Sequence, residues 1–338
     1  MSLRGRRGTA RVADGRYELR TEEVDQVGHV VTRLRGRVST VDAPEAVDES
    51  RLLNGLLPEG LLRALEDFRR FGNDQGTLTV RGLPVPSDLP DTPCVPNSVA
   101  RECTPSAALL LLLMSRLGDP IAYREEKHGA LIQDICPVPG EEDQQQNTGS
   151  VYFELHTENA FHANRPDFLG LLCLRPDHDR QAASITSSIT EALLHLAPEH
   201  VEVLRRPRFR TRLAPSFCRG QESRPYVEAA PVLAGTPELP LLSVDFDDTL
   251  PLDADAREAL DALHLALRKV QRESVLYAGD LVIIDNSTTV HGRSLFVPRY
   301  DGRDRWLQRL FVVNTLRTVL PALEQDGTYR CRPLAVPA

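Results

Sequence analysis

The sequence predicts a mainly β fold, an antiparallel barrel or jelly roll with flanking helices. Two observations carry this. Short β-type runs crowd the second half of the chain: "VYFELHTE", "DFLGLLCLR", "PLLSVDF", "DLVIIDN" and "RWLQRLFVV". Helical patterns wrap these runs but do not alternate with them as regular strand–helix–strand units, which disfavours a doubly wound parallel sheet.

The elements follow in order. "MSLRGRRGTAR" is basic but has no apolar segment after its arginines, so it is not a secretory signal. Residues 1–20 read as a flexible basic tail and residues 21–338 as one elaborated domain. "PEGLLRALEDFRRFG" (Pro58–Gly72) is an amphipathic helix ended by glycine. "GTLTVRGLPVP" is a strand running into a proline-rich loop. "AALLLLLM" (Ala107–Met114) follows Thr104-Pro105, an N-cap and a first helical residue, and stops near Gly118. It is far too short to span a bilayer and reads as a buried helix. Two further helical patterns, "SITEALLHLAPEHVEVLRR", broken at Pro198, and "DADAREALDALHLALRKVQRES", mark a helical insertion over roughly residues 185–280. "CPVPGEEDQQQNTGS", polar and rich in Gly, Pro and Gln, reads as a mobile loop that would serve as a lid.

Composition narrows the function classes. A formal charge of −8 gives no electrostatic reason to expect nucleic acid or an anionic membrane as partner, and fits a small-molecule enzyme. The six cysteines (Cys94, Cys103, Cys136, Cys173, Cys218, Cys331) contain no C-x-x-C pair, so neither a disulfide framework nor a zinc ribbon is expected. A reduced, cytoplasmic setting is the default.

The chemistry concentrates in two stretches. In "VYFELHTE", simple alternation places Val151, Phe153 and Leu155 on one face and Tyr152, Glu154, His156 and Glu158 on the other. His156 and Glu158 would then project together toward one cation; alone, such a tripeptide is more often a solvated strand face. Near the C-terminus, "AGDLVIIDNSTTVHGRSLF" holds an apolar strand, a polar turn and His291 before glycine. A His-Gly turn there would return an imidazole to the same cavity. Arg305 and Arg309, four residues apart, share a face if "RWLQRLFVV" is a strand. Two guanidinium groups beside a β-run suit a pocket for carboxylates, which arginine binds in bidentate fashion. His162 falls out of the facing register and is expected to pack or hydrogen-bond, and His264 sits within a helix pattern.

Taken together, "HTENAFHANRPDFLGLLCLRPD", "AASITSS", "VDFDD" and "GDLVIIDNSTTVHGRSLFVPRYDGRDRWLQR" resemble the clavaminate synthase-like group of non-haem iron(II), 2-oxoglutarate-dependent oxygenases, which includes amino-acid hydroxylases. The resemblance covers roughly residues 115–317, with the N-terminal third matching only loosely. It implies a double-stranded β-helix (jelly-roll) core and a facial triad of His156, Glu158 and His291. Arg305, fourteen residues past His291, matches the arginine that holds the distal carboxylate of 2-oxoglutarate. Ser184 stands where the group usually has a threonine supporting that carboxylate, keeping the hydroxyl and losing a methyl. Arg309 matches the arginine for the amino acid's α-carboxylate. Asp245 and Asp247 fall where members that use guanidinium substrates place recognising carboxylates, with Asp248 an alternative in register. Glu125 falls near the position that contacts the substrate amino group, with Glu126 as its alternative.

The resemblance therefore implies iron(II), 2-oxoglutarate and dioxygen as cofactor and co-substrates. The implied reaction is hydroxylation of an unactivated β or γ carbon of an L-amino acid in specialised metabolism, antibiotic biosynthesis included. The acidic "DFDD" tilts the expected substrate toward arginine, lysine or citrulline, free or bound to a carrier protein. Related halogenases lack the carboxylate ligand, so the presence of Glu158 points to hydroxylation. Desaturation of a similar substrate is the main alternative. A zinc hydrolase also uses two histidines and a glutamate, but leaves the paired arginines without a use; a non-catalytic binding module leaves the three ligands without one.

Overall fold

In the computed structural model, which describes residues 15–218 and 224–334, two β-sheets enclose the chemistry-bearing residues. The major sheet runs β1 (Arg16–Glu18), β2 (Thr77–Arg81), β14 (Leu281–Asp285), β7 (Phe168–Arg175), β16 (Trp306–Val313), β4 (Asp119–Tyr123) and β17 (Arg330–Cys331). Strand β3 (Val99–Ala100) joins β5 (Ile132–Ile135), which in turn pairs with β16. The minor sheet runs β13 (Arg272–Val275), β8 (Ala183–Ser188), β15 (Thr289–Arg293) and β6 (Phe153–His156). The central pairings are antiparallel, giving the double-stranded β-helix with flanking helices.

Strands β7 and β14 read as nearly continuous apolar runs because both of their faces are covered, and β16 does so apart from Gln308 and Arg309. One face, with Leu172, Leu174, Ile283, Leu310 and Val312, packs against the N-terminal helices. The other, with Leu169, Leu171, Cys173, Ile284, Leu307 and Phe311, faces the barrel interior. The helices are α1 (Thr21–Arg35), α2 (Pro44–Leu53), α3 (Glu59–Phe71) and α4 (Pro105–Met114). Helix α4 is apolar all round because α1 and α2 cover one side and β16 and β7 the other. Each of its fully buried leucines contributes about 2 kcal/mol. Thr104 Oγ1 caps it by accepting from the Ala107 N–H at 3.2 Å, and Pro105 occupies the first turn. The helix lies so close to β7 that a Cβ at Gly170 would sit 2.4 Å from Met114 Sδ.

Three sequence expectations change in detail. Arg16–Glu18 pair in parallel with Thr79–Arg81, so the C-terminal part of the expected 1–20 tail is strand; residues 1–14 lie outside the described residues. The insertion is bounded more tightly than 185–280. It carries α5 (Ile189–Ala192), α6 (Pro198–Leu204) and α7 (Ala254–Val270), with the small ladders β9 (Phe209–Thr211)–β12 (Thr249–Pro251) and β10 (Leu233–Gly235)–β11 (Pro240–Leu242). Ser184–Ser188 and Arg272–Val275 on either side belong to the minor sheet. The long helical pattern accordingly ends at Val270, and "RESV" pairs antiparallel with β8 at the sheet edge. Cys94 is exposed and the other five cysteines are buried, all as free thiols. No helix among the described residues is long and apolar enough to cross a membrane.

Candidate active site

The two sheets meet over a cavity of about 400 Å³ lined by residues of both. His156 and His291 are direct cross-strand partners on β6 and β15, with ring centroids 4.3 Å apart. Between His291 and Arg293 the register against β6 slips, so that Arg293 faces Phe153. The β-bulge inserts one residue and rotates the strand. Simple alternation therefore fails here: Phe153 lines the cavity with His156 and stacks on it at 4.4 Å, whereas Glu154 turns outward to His264 of α7 at 3.2 Å.

The bulge also explains Gly292. A Cβ there would lie 2.5 Å from the Phe153 carbonyl oxygen. The expected His-Gly turn is absent, since both residues lie inside β15 and the chain reverses earlier, over Asn286–Thr288.

Glu158 reaches the cavity beyond the end of β6. The Thr157 N–H donates to Val244 O at 2.7 Å, turning the chain, and Asn286 Oδ1 accepts from the Glu158 N–H at 2.7 Å. One ligand atom each from His156, Glu158 and His291 then fall within 4.8 Å of one another, all three residues buried. His156 Nδ1 lies 2.9 Å from Glu154 O, which leaves its Nε2 for the cavity. Burial, then the neighbouring His156, lowers the pKa of His291 to about 4, keeping it a neutral imidazole. Burial would raise Glu158, but Arg309 and the two histidines outweigh it and hold the carboxyl down to about 2. Two imidazoles and a carboxylate fit a divalent iron with open coordination positions.

Arg305, Leu307 and Arg309 all line the cavity. Arg309 Nη1 donates to Glu158 Oε2 at 3.0 Å, its Nη2 to Glu126, and its Nε to Gln133 Oε1 at 3.1 Å. Arg305 is buried and forms no ion pair with a carboxylate among the described residues. Burial lowers its pKa. Ser184, on β8, also lines the cavity and is buried.

The other end of the cavity is acidic and already partly neutralised. Asp248 pairs with Arg212 at 3.3 Å and with Arg224. Asp245 Oδ1 accepts from the N–H groups of Asp247 and Asp248 at 2.9 and 3.2 Å, so the run is also a turn. Asp247 is exposed at the cavity wall. Glu125 lies away from the cavity, where it accepts from the Leu334 N–H at 2.9 Å. Its neighbour Glu126 is buried in the wall instead, because the turn after β4 sends adjacent side chains in opposite directions. Asp143–Asn147 of the expected lid cover the cavity. This loop is fastened: Tyr300 Oη donates to Glu142 at 2.6 Å, and Gln145 bonds the β6 backbone at Tyr152 O and Glu154 N. Sequence reasoning missed Arg293 and Asn286. The first was legible as the period-two neighbour of His291; the second had no local signal.

Comparison with known proteins gives the family. The family model for the taurine catabolism dioxygenase TauD, TfdA family, matches residues 68–311. The chain is 42% identical over 318 residues to an L-asparagine oxygenase of Streptomyces coelicolor, covering 92% of this chain and 94% of that protein. It is 34% identical over 297 residues to clavaminate synthase 2 of Streptomyces clavuligerus, covering 86% and 90%. Among solved structures, an asparagine oxygenase in complex with Fe(II), 2S,3S-3-hydroxyasparagine and succinate superposes with a TM-score of 0.90 at 41% identity, covering 94% of this chain and 99% of that one. With the matched region holding the minor sheet, the central strands of the major sheet and every residue that lines the cavity, the chain belongs to the TauD/TfdA family of dioxygenases.

Proposed function

We propose that this dioxygenase hydroxylates the β carbon of free L-asparagine, or of an amino acid with an equally short carboxamide side chain. Iron(II), 2-oxoglutarate and dioxygen are its cofactor and co-substrates, and an amino-acid carbon is hydroxylated. Residue by residue, His156, Glu158 and His291 hold the iron, and Arg305 with Ser184 takes the distal carboxylate of 2-oxoglutarate. Arg309 takes the α-carboxylate of the substrate and Glu126 its ammonium group. The observation that carries this reading is the convergence of three ligand atoms within 4.8 Å beside a buried arginine with no carboxylate of its own.

The bound metal supplies oxidative decarboxylation of 2-oxoglutarate to succinate and carbon dioxide, coupled to insertion of one oxygen atom into the substrate C–H bond. The chain's own residues position and shield. Arg309 bonds Glu158 through Nη1 and keeps a second Nη1 N–H for the α-carboxylate. Glu126, raised by burial and drawn down by Arg309, offers a carboxylate beside it. Gln144, Gln146 and Asn147 of the lid close the cavity over the substrate and exclude water.

The side-chain preference rests on charge. Asp248 is spent on Arg212 and Arg224, and Arg224 also lines the cavity, where it opposes a guanidinium or ammonium group. Asp245 keeps Oδ2 as an acceptor for one amide N–H. A neutral carboxamide therefore fits better than the arginine or lysine side chains that the acidic run suggests, and the 42% identity to an asparagine oxygenase supports the same preference.

The test mixes anaerobic protein with iron(II) and 2-oxoglutarate, admits oxygen, and follows succinate by mass spectrometry across a panel of free L-amino acids. Asparagine-dependent succinate with a product heavier by one oxygen atom is expected. Turnover with arginine or lysine alone would overturn the substrate assignment. No succinate above a His156→Ala control would overturn the site.

A further inference from the structure

Arg293 is 4% exposed, lines the active-site cavity, and forms no ion pair among the described residues. Its guanidinium lies between the rings of Phe153 and Phe296, 5.8 and 5.2 Å from their centroids. Nη2 donates to the Val151 carbonyl at 3.0 Å, while Nε is buried with no hydrogen-bond partner. A buried donor left unpaired costs stability, and a buried cation without a counter-charge costs more. Arg305, a second buried arginine that forms no ion pair among the described residues, lines the same cavity, and its positive charge acts on Arg293. Two like charges are thus held in one desolvated cavity, an arrangement that a dianionic ligand would stabilise.

The register shows where that ligand would sit. Ser184 and Arg293 are direct cross-strand partners on β8 and β15, so their side chains leave the sheet side by side on the cavity face. We propose that Arg293 is a second cationic anchor for the co-substrate, its guanidinium joining Arg305 and the Ser184 hydroxyl around the distal carboxylate of 2-oxoglutarate. This rests on the reading of the site given above. It also accounts for Ser184 in place of threonine, since the guanidinium beside it takes over part of the task of fixing the carboxylate.

The same side chain reports on the metal ligands. Phe153 is stacked between Arg293 and the His156 ring, so a purely structural Arg293 would act through His156 and weaken iron(II) binding itself. A co-substrate anchor leaves iron(II) binding unchanged.

The experiment titrates 2-oxoglutarate anaerobically into the iron(II)-loaded protein by calorimetry, for wild type, Arg293→Met and Arg305→Met, and then titrates the amino acid into each protein saturated with 2-oxoglutarate. Loss of a charge-assisted hydrogen bond predicts a Kd for 2-oxoglutarate weakened about tenfold or more in Arg293→Met, with amino-acid affinity nearly unchanged. Should that variant not fold, Arg293→Lys keeps the charge between the rings and removes the planar guanidinium fork, and a several-fold weaker Kd for 2-oxoglutarate alone is expected. A wild-type Kd in either folded variant, with Arg305→Met weakened, overturns the role of Arg293 and leaves the site reading intact. Weakened iron(II) binding in the variant, or equal weakening of both organic ligands, assigns Arg293 a structural role and also overturns it. Failure of the wild type to bind 2-oxoglutarate overturns both.

Discussion

Asn286 grips the main chain of Glu158 from both sides, accepting from its N–H at 2.7 Å and donating to its carbonyl at 3.1 Å. Its side chain is wholly buried, and Nδ2 also reaches the Pro166 carbonyl at 2.9 Å. The grip fixes the one proposed ligand that no strand carries. Residues that orient metal ligands in this way are worth about 10–100-fold in metal affinity or activity. Asn286→Ala is expected to weaken iron(II) binding to that extent in an anaerobic titration. Unchanged iron affinity with only a lower Tm would mean that Asn286 supports the fold and not the ligand.

Gly292 makes the bulge possible that brings His156 and Phe153 to one face. With the Phe153 carbonyl 2.5 Å from an added Cβ, Gly292→Ala must push β6 away from β15. Displacement of catalytic groups by about 1 Å costs on the order of a hundredfold in rate, and overpacking of this kind costs about 1–3 kcal/mol. The expected result is a folded protein with lowered Tm, sharply lower kcat and weakened iron binding. Wild-type turnover in a folded Gly292→Ala protein would show that the bulge does not set the site.

How much of this was legible in the sequence follows from which forces act locally. The sheet strands, α4 and the α3 stop at Gly72 were readable because burial period, capping and turn chemistry are local. Arg305 and Arg309 were readable for the same reason: Arg309 lies on β16, Arg305 directly precedes that strand, and with Leu307 they line the cavity. The β6 bulge was not, because it is set by the partner strand. Simple alternation thus placed Glu154 beside His156 and left Phe153 outside. Glu126 in place of Glu125 depends on a turn that sends one side chain to Leu334 and the other to Arg309. The charge state of "DFDD" depends on Arg212 and Arg224, more than twenty residues away in the chain. Only the fold brings those arginines in, and with them the case against a cationic substrate.

The Glu125/Glu126 pair offers a sharp contrast. Glu126 sits in the cavity wall against Arg309, while Glu125 is outside it. Glu126→Gln keeps the shape and removes the charge that would meet a substrate ammonium group. A KM for the amino acid raised about tenfold or more is expected, by the worth of a buried charge-assisted hydrogen bond. Glu125→Gln should leave KM unchanged and lower stability slightly through the Leu334 contact. A KM effect from Glu125→Gln and none from Glu126→Gln would reverse the assignment.

His162 sets a pH dependence of stability that is separable from the site. It is buried edge-on against Tyr123 and Phe217, and its Nδ1 accepts from the Asn164 N–H at 2.9 Å. Desolvation lowers its pKa to about 4, against about 6.5 in the unfolded chain. Between these values the unfolded state binds the proton and the folded state does not, so stability falls as pH drops from about 6.5 toward 4. About 2 kcal/mol is lost by pH 5, and the full effect of about 3 kcal/mol is reached only below the folded value of about 4. His162→Asn keeps an acceptor for the Asn164 N–H and cannot titrate. Urea unfolding at pH 7.5 and at pH 5 should show wild type losing more stability than the variant over that interval, with the gap closing as pH rises. Parallel losses in both proteins would mean that His162 is already protonated in the folded state or reaches water.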